Sequence, residues 1–192
     1  MKREFNSFFT YFLLKNDTIA FMKIISNSLK ETEKLAQDFI NRLGNLVSKS
    51  EAFVVGLYGD LGSGKTTFVK FVAKEFGLKN TVTSPTFVIE KIYPVRTDGR
   101  KRPTSNPVRD KSLNGTNGTG PLKHDFDNLI HIDAYRLESA DELKALGWEE
   151  ISKNPKNIIF IEWPENVKSV LSKNIKEIHF KCIDENTREI VW

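Results

Sequence analysis

Cysteine is almost missing from this chain of 192 residues, with Cys182 the single one. No intramolecular disulfide can form and no thiol-rich metal cage is available, which fits a protein of the reducing cytosol. Long apolar runs are missing as well. None approaches the ~20 residues that a membrane-spanning helix needs, so no membrane partner is expected. Charge of one sign is also scarce outside one stretch. The net charge of +4 suggests nucleic acid until it is located: between Val95 and Lys123, Arg96, Arg100, Lys101, Arg102, Arg109, Lys111 and Lys123 face only Asp98 and Asp110. That local excess leaves the rest of the chain slightly acidic, which excludes a basic patch spread over the folded core. What is present, 39% hydrophobic and 28% charged residues, is the make-up of an ordinary globular protein with one hydrophobic core.

Residues 1–21 open with Lys2 and Arg3 ahead of a short aromatic run, as a secretory signal does. Thr10 interrupts the apolar stretch, Asp17 follows, and no small-residue cleavage site appears. The segment is expected to be an extension, or a start assigned upstream of Met22, with residues 22–192 forming one domain. From Ser28, the residues Leu35, Ala36, Phe39, Ile40 and Leu43 recur at helical spacing, and Ser28 with Glu31 makes a capping box. Ala52 to Tyr58 reads as a buried strand ending in glycine, and Thr66 to Phe76 as an amphipathic helix stopped by Gly77. Thr86–Tyr93, Leu129–Ile132 and Asn157–Ile161 are strand-like, and one helical stretch from Ala140 to about Ile151 separates the last two. Strands alternating with helices predict a mostly parallel sheet, closed by an antiparallel hairpin of Ile175–Ile183 and Glu189–Trp192. Residues 94–127 hold four of the seven prolines and almost no large apolar side chains. They read as a disordered insertion between two core strands, a solvated segment that would carry whatever attraction the chain has for nucleic acid.

The chemistry is carried by Gly59-Asp60-Leu61-Gly62-Ser63-Gly64-Lys65-Thr66, a complete G-x-x-x-x-G-K-[ST] pattern set between a strand and a helix. Glycines let successive backbone N–H groups turn onto phosphates, and the helix N-terminus adds its positive dipole end. Lys65 reaches the β and γ phosphates, Thr66 is placed to ligate magnesium, and Thr67 to help hold the α-phosphate. A P-loop also needs an acid at the carboxyl end of a core strand. Two are available, Asp133 after Leu129–Ile132 and Glu162 after Asn157–Ile161. A nucleoside triphosphate with Mg2+ is therefore the expected ligand, in a three-layer α/β P-loop fold.

GDLGSGKTT (Gly59–Thr67), SPTF (Ser84–Phe87), HIDAYRL (His131–Leu137) and IEWPE (Ile161–Glu165) follow one another in an order that resembles the TsaE family of tRNA threonylcarbamoyladenosine biosynthesis. The resemblance runs from Met22 to about Ile183. It implies an ATPase working with TsaD and TsaB in threonylcarbamoyl transfer to the adenosine beside the anticodon, and meeting tRNA only through that complex. It further implies that Lys65, Thr66 and Thr67 bind ATP and magnesium, that Asp133 and Glu162 serve the metal and the attacking water, and that Thr86 lies in a switch-like loop near the γ-phosphate. Tyr135, Arg136 and Trp163 border the site by the same resemblance, and Glu31 or Thr32 comes near the adenine. Residues 94–127 and 1–21 depart from the family pattern. Two other readings stay open: a small-molecule or nucleoside kinase using the same P-loop, and a nucleotide-gated docking subunit whose hydrolysis is incidental.

Overall fold

The computed structural model describes residues 9–11, 22–43, 50–78, 85, 89–95 and 126–192. Its strands are β1 (Phe9–Tyr11), β2 (Met22–Ser26), β3 (Phe53–Tyr58), β4 (Glu90–Pro94), β5 (Asn128–Asp133), β6 (Asn157–Glu162), β7 (Lys176–Cys182) and β8 (Arg188–Val191). They form one sheet in the order β1-β2-β8-β7-β3-β6-β5-β4. The central strands β7, β3, β6 and β5 are parallel, and every pairing outside them is antiparallel.

Period-two alternation explains the layering. Val55, Leu57, Leu129, Ile158 and Phe160 turn to one face and pack with α1 (Leu29–Arg42) and α2 (Lys65–Glu75). Ile130, Ile132, Ile159 and Ile161 turn to the other, under α3 (Ala140–Ala145), α4 (Trp148–Lys153) and the 3₁₀ segment Pro164–Val170. All six residues of β6 are buried, as expected of a strand covered on both sides. On the first face Phe39 meets Phe68, Phe160 and Trp192 edge-on, at 5.8, 6.3 and 5.9 Å between ring centroids. Each fully buried ring of this kind contributes on the order of 2 kcal/mol. Among the described residues no helix is long and apolar enough to cross a membrane.

Three local expectations are revised. The stretch from Ala140 is two short helices, because Gly147 takes a left-handed conformation (φ 86°) between them. Its neighbour Trp148 is thereby turned inward, 5% exposed, with its indole N–H donating to the Val170 carbonyl at 3.1 Å. The strand expected from Thr86 begins at Glu90, since Ile89 has φ 65° and its amide turns back to the Pro85 carbonyl. In the capping box, Ser28 Oγ accepts from the Glu31 amide at 3.2 Å, but the Glu31 carboxylate reaches one residue further back, accepting from the Asn27 amide at 2.7 Å.

The expected insertion is also bounded more tightly, because Val95 and Phe126 are each 1% exposed and belong to the core. The Val95 amide donates to the Asp127 carbonyl at 2.7 Å, and Phe126 packs edge-on against Phe76. Residues 96–125 lie outside the described residues. The described residues that flank them, Val95 and Phe126, lie beyond the Pro94–Asn128 end of the β4–β5 pair, five register steps or roughly 17 Å from Asp133 at the other end. A chain lacking residues 101–120 is expected to keep its nucleotide affinity and to shift its denaturant midpoint only slightly, since shortening this connection about threefold changes closure entropy by only about 1 kcal/mol. Extending the deletion through Val95 and Phe126 empties core volume and should cost about 3–5 kcal/mol in urea titration.

Candidate functional site

Leu57 pairs with Glu162 across β3–β6, and Asp133 pairs with Glu162 across β5–β6. Strand register therefore delivers both carboxylates to one edge of the sheet, where β3 runs out into the glycine-rich loop. The loop is shaped for close approach. Gly59 has φ 134°, and a Cβ there would stand 2.2 Å from the Phe180 carbonyl oxygen of β7. Because that neighbour is backbone, it cannot rotate away. Gly59→Ala is expected to lower stability by about 1–3 kcal/mol, read as a fall in thermal midpoint. Gly64, also left-handed at φ 108°, is the N-cap of α2 and supplies no side-chain cap, so the first-turn amides of that helix are left to an outside acceptor.

A cleft of about 330 Å3 opens beside this loop, lined by Leu61, Gly62, Gly64, Lys65, Thr66, Thr67, Asp133, Tyr135, Glu162 and Trp163. Lys65 is 4% exposed and folds back on its own loop: Nζ donates to the carbonyls of Gly59 (2.6 Å) and Asp60 (2.9 Å) and lies 4.2 Å from the Trp163 ring centroid. Burial pulls its pKa below that of an ordinary lysine, while Glu162, Asp133, Glu165 and Asp60 pull it back up. The indole beneath it is held by a backbone that Trp163 rarely adopts, left-handed at φ 58°, a strain of order 1–3 kcal/mol that collects at functional sites. Thr66 Oγ1 donates to Glu162 Oε1 at 2.7 Å, joining the loop's helix to β6. Asp133 Oδ1 accepts from the Tyr135 amide at 3.1 Å, and Tyr135, half exposed, tilts against Trp163 with centroids 5.2 Å apart.

Of the residues expected to act together, Lys65, Thr66, Thr67, Asp133, Glu162, Tyr135 and Trp163 converge on this cleft. Asp60 sits at the exposed loop tip, where its backbone carbonyl holds Lys65, and Ser63 is wholly buried with no partner for its hydroxyl among the described residues. Arg136 is on the exposed side of the 3₁₀ turn Ala134–Arg136. Thr86 lies outside the described residues. Across the loop a second cleft of about 230 Å3 is lined by Ser28, Leu29, Thr32, Thr67 and Arg188, among others. Thr32 is on that wall, sharing its hydroxyl with Ser26 at 2.7 Å, whereas Glu31 is occupied with Asn27.

Two residues were passed over in the sequence. Arg188, whose Nη1 donates to the carbonyls of Asp184, Glu185 and Thr187, holds the β7–β8 turn beside Gly64. Nothing local in the sequence marks it. His131 is fully buried with Nε2 2.8 Å from Glu162 Oε1. Its signal was present, since it precedes Asp133 by two on a strand and so shares its face.

The layering, the register and the loop ahead of α2 define a three-layer α/β protein of the P-loop class. The chain belongs to the TsaE family: the model of "Threonylcarbamoyl adenosine biosynthesis protein TsaE" matches residues 26–102 and 119–190, passing over the middle of the basic segment. Among its relatives, the tRNA threonylcarbamoyladenosine biosynthesis protein TsaE of Rickettsia typhi is 34% identical over 163 residues, 84% of this chain and 88% of that one. The protein of the same name from Treponema pallidum is 28% identical over 88% of this chain and 98% of its own. The crystal structure of YdiB from Bacillus subtilis superposes with a TM-score of 0.58 over 92% of this chain and 86% of that one, at 23% identity, which bears on the fold.

Proposed function

We propose that this protein is a magnesium-dependent ATPase that acts in the cytoplasm with TsaD and TsaB, supporting threonylcarbamoyl transfer to the adenosine next to the anticodon of tRNA. The observation that carries the reading is the meeting of Lys65 and Thr66, from the loop and α2, with Asp133 and Glu162, from two adjacent strands, on one cleft. The site fits the ligands. The uncapped start of α2 and the buried Ser63 hydroxyl, which has no partner among the described residues, leave donors for phosphate oxygens. Thr66, Glu162 and Asp133 are oxygen donors of the kind magnesium takes alongside substrate phosphates. Among the described residues no three His, Cys, Asp or Glu side chains form a metal cage of their own, which agrees with an ion that arrives with nucleotide. When bound, the ion would neutralise charge developing on the phosphates.

The protein's own contribution is orientation and charge. Lys65 has to leave the Gly59 and Asp60 carbonyls to meet the β and γ phosphates, and the Trp163 face gives its cation a resting place close by. Glu162 and Asp133 are the carboxylates on this cleft that would hold the ion and orient the attacking water. The base and ribose are assigned to the second cleft, between Thr32 and Arg188. Leu29, Leu61 and Tyr135, which are 69%, 78% and 50% exposed, rim the two clefts with apolar surface, which suits a site completed by a protein partner.

Phosphate release is to be measured with the chain alone and with TsaB and TsaD. Stimulation by the partners is expected, with ADP and phosphate as products. A phosphorylated small molecule would make it a kinase instead, and failure to bind TsaD would remove the role in the complex.

A further inference from the structure

His131 is an expensive residue for its position. It is fully buried on β5, opposite Phe160 in register, and its Nδ1 has no hydrogen-bond partner among the described residues. A residue needed only to fill that space has no use for a buried ring nitrogen that none of the described residues pairs. The other nitrogen explains the cost. Nε2 stands 2.8 Å from Glu162 Oε1, and since the carboxylate accepts, Nε2 carries the proton. The same oxygen accepts from Thr66 at 2.7 Å, so Oε1 is held from two sides. Among the described residues both donors are on one oxygen, which makes Oε2 the oxygen available to the cleft that Glu162 lines. The two holds differ in kind. Thr66 is on the first turn of α2, next to a lysine that has to leave its loop carbonyls to meet phosphate. His131 is on a central strand whose neighbours are buried.

We propose that His131 is a positioning residue of the hydrolytic site: it fixes the Glu162 carboxylate from the rigid sheet, independently of the nucleotide loop, so that Oε2 stays directed at the cleft. The inference rests on the ATPase reading above. Outer partners of this sort, one hydrogen bond behind a functional carboxylate, change activity about 10–100-fold when removed.

The test compares His131→Phe, which removes the donor and the orphaned nitrogen together, with His131→Gln, whose amide can restore a donor to Glu162. In the presence of the partner subunits, kcat is expected to fall about 10–100-fold in His131→Phe. KM for ATP should move by less than about threefold, and His131→Gln should recover part of the loss. The thermal midpoint of His131→Phe should hold or rise, because a buried unpaired group is gone. A kcat within about twofold of wild type overturns the proposal, as does a loss that follows a lowered midpoint and is not recovered by Gln.

A second readout needs neither nucleotide nor turnover. In the nucleotide-free wild-type protein, 15N NMR should show a slowly exchanging His131 Nε2–H that disappears in Glu162→Ala. A ring proton in fast exchange would overturn the proposal without touching the ATPase reading. Absent turnover in the wild type with its partners would overturn the ATPase reading while leaving the His131–Glu162 contact to be judged by its own signal.

Discussion

Lys65→Ala is expected to bring ATP turnover down by at least about 100-fold, measured as phosphate release in the presence of the partner subunits, because a cation brought against the phosphates is worth that much in transition-state stabilisation. The structure adds a reason to expect a loss larger than a single hydrogen bond. The ammonium is drawn out of water, which strengthens its field at the cleft, and four acids around it oppose the fall in its pKa that burial causes. Alanine removes this cation from between Trp163 and the Gly59 and Asp60 carbonyls, so the loop also loses the contact that gathers it. Lys65→Arg is the informative companion. Arginine keeps the charge, but its planar fork cannot reproduce a compact ammonium seated between two carbonyls and an indole face. It is expected to bind nucleotide and still turn over poorly. Full turnover in Lys65→Ala would show that phosphate is handled elsewhere.

The features that the chain declares locally were those read most completely from its sequence. A two-residue period shows where strands lie, and in β5 and β6 it also assigns each residue to a face, so the burial of Phe160 on one side and Ile159 and Ile161 on the other was implicit in the order of residues. The loop motif needed only its strand and helix to be recognised. The left-handed residues were harder. Gly147 carried the mark of a break inside the expected helix, but Ile89 and Trp163 adopt positive φ against their own preference, held by surroundings far away in sequence. Strand order was likewise beyond local signals. That β8 enters between β2 and β7, bringing Arg188 beside Gly64, depends on which edges were left to pair. For the site, Asp133 and Glu162 were legible as strand-end acids. Their meeting through a shared register, and the hold of Thr66 and His131 on one carboxylate oxygen, are tertiary facts.

That shared oxygen makes Glu162 the place where chemistry and packing can be separated. Glutamine at this position keeps an acceptor at Oε1 for Thr66 and His131 while replacing the second oxygen by an amide. Glu162→Gln is therefore expected to fold with a thermal midpoint close to wild type and to bind nucleotide, but to hydrolyse it about 10²–10⁴-fold more slowly, the range for loss of a general base or of its charge. Glu162→Ala removes the acceptor altogether. Two donors in a nearly dry site are left unpaired, Thr66 Oγ1 and His131 Nε2, the second in a side chain with no solvent exposure. Each unpaired group costs about 1–3 kcal/mol. A chain of this length loses roughly 2–4 °C of midpoint per kcal/mol, so alanine should be visibly less stable as well as inactive. Equal stability of the two variants would mean that water reaches the carboxylate more freely than its 3% exposure indicates. If Glu162→Gln keeps turnover within about threefold of wild type, Glu162 is a metal or packing ligand and the water falls to Asp133. Asp133→Asn should then carry the loss, because its Oδ1 still accepts the Tyr135 amide and the local turn is spared.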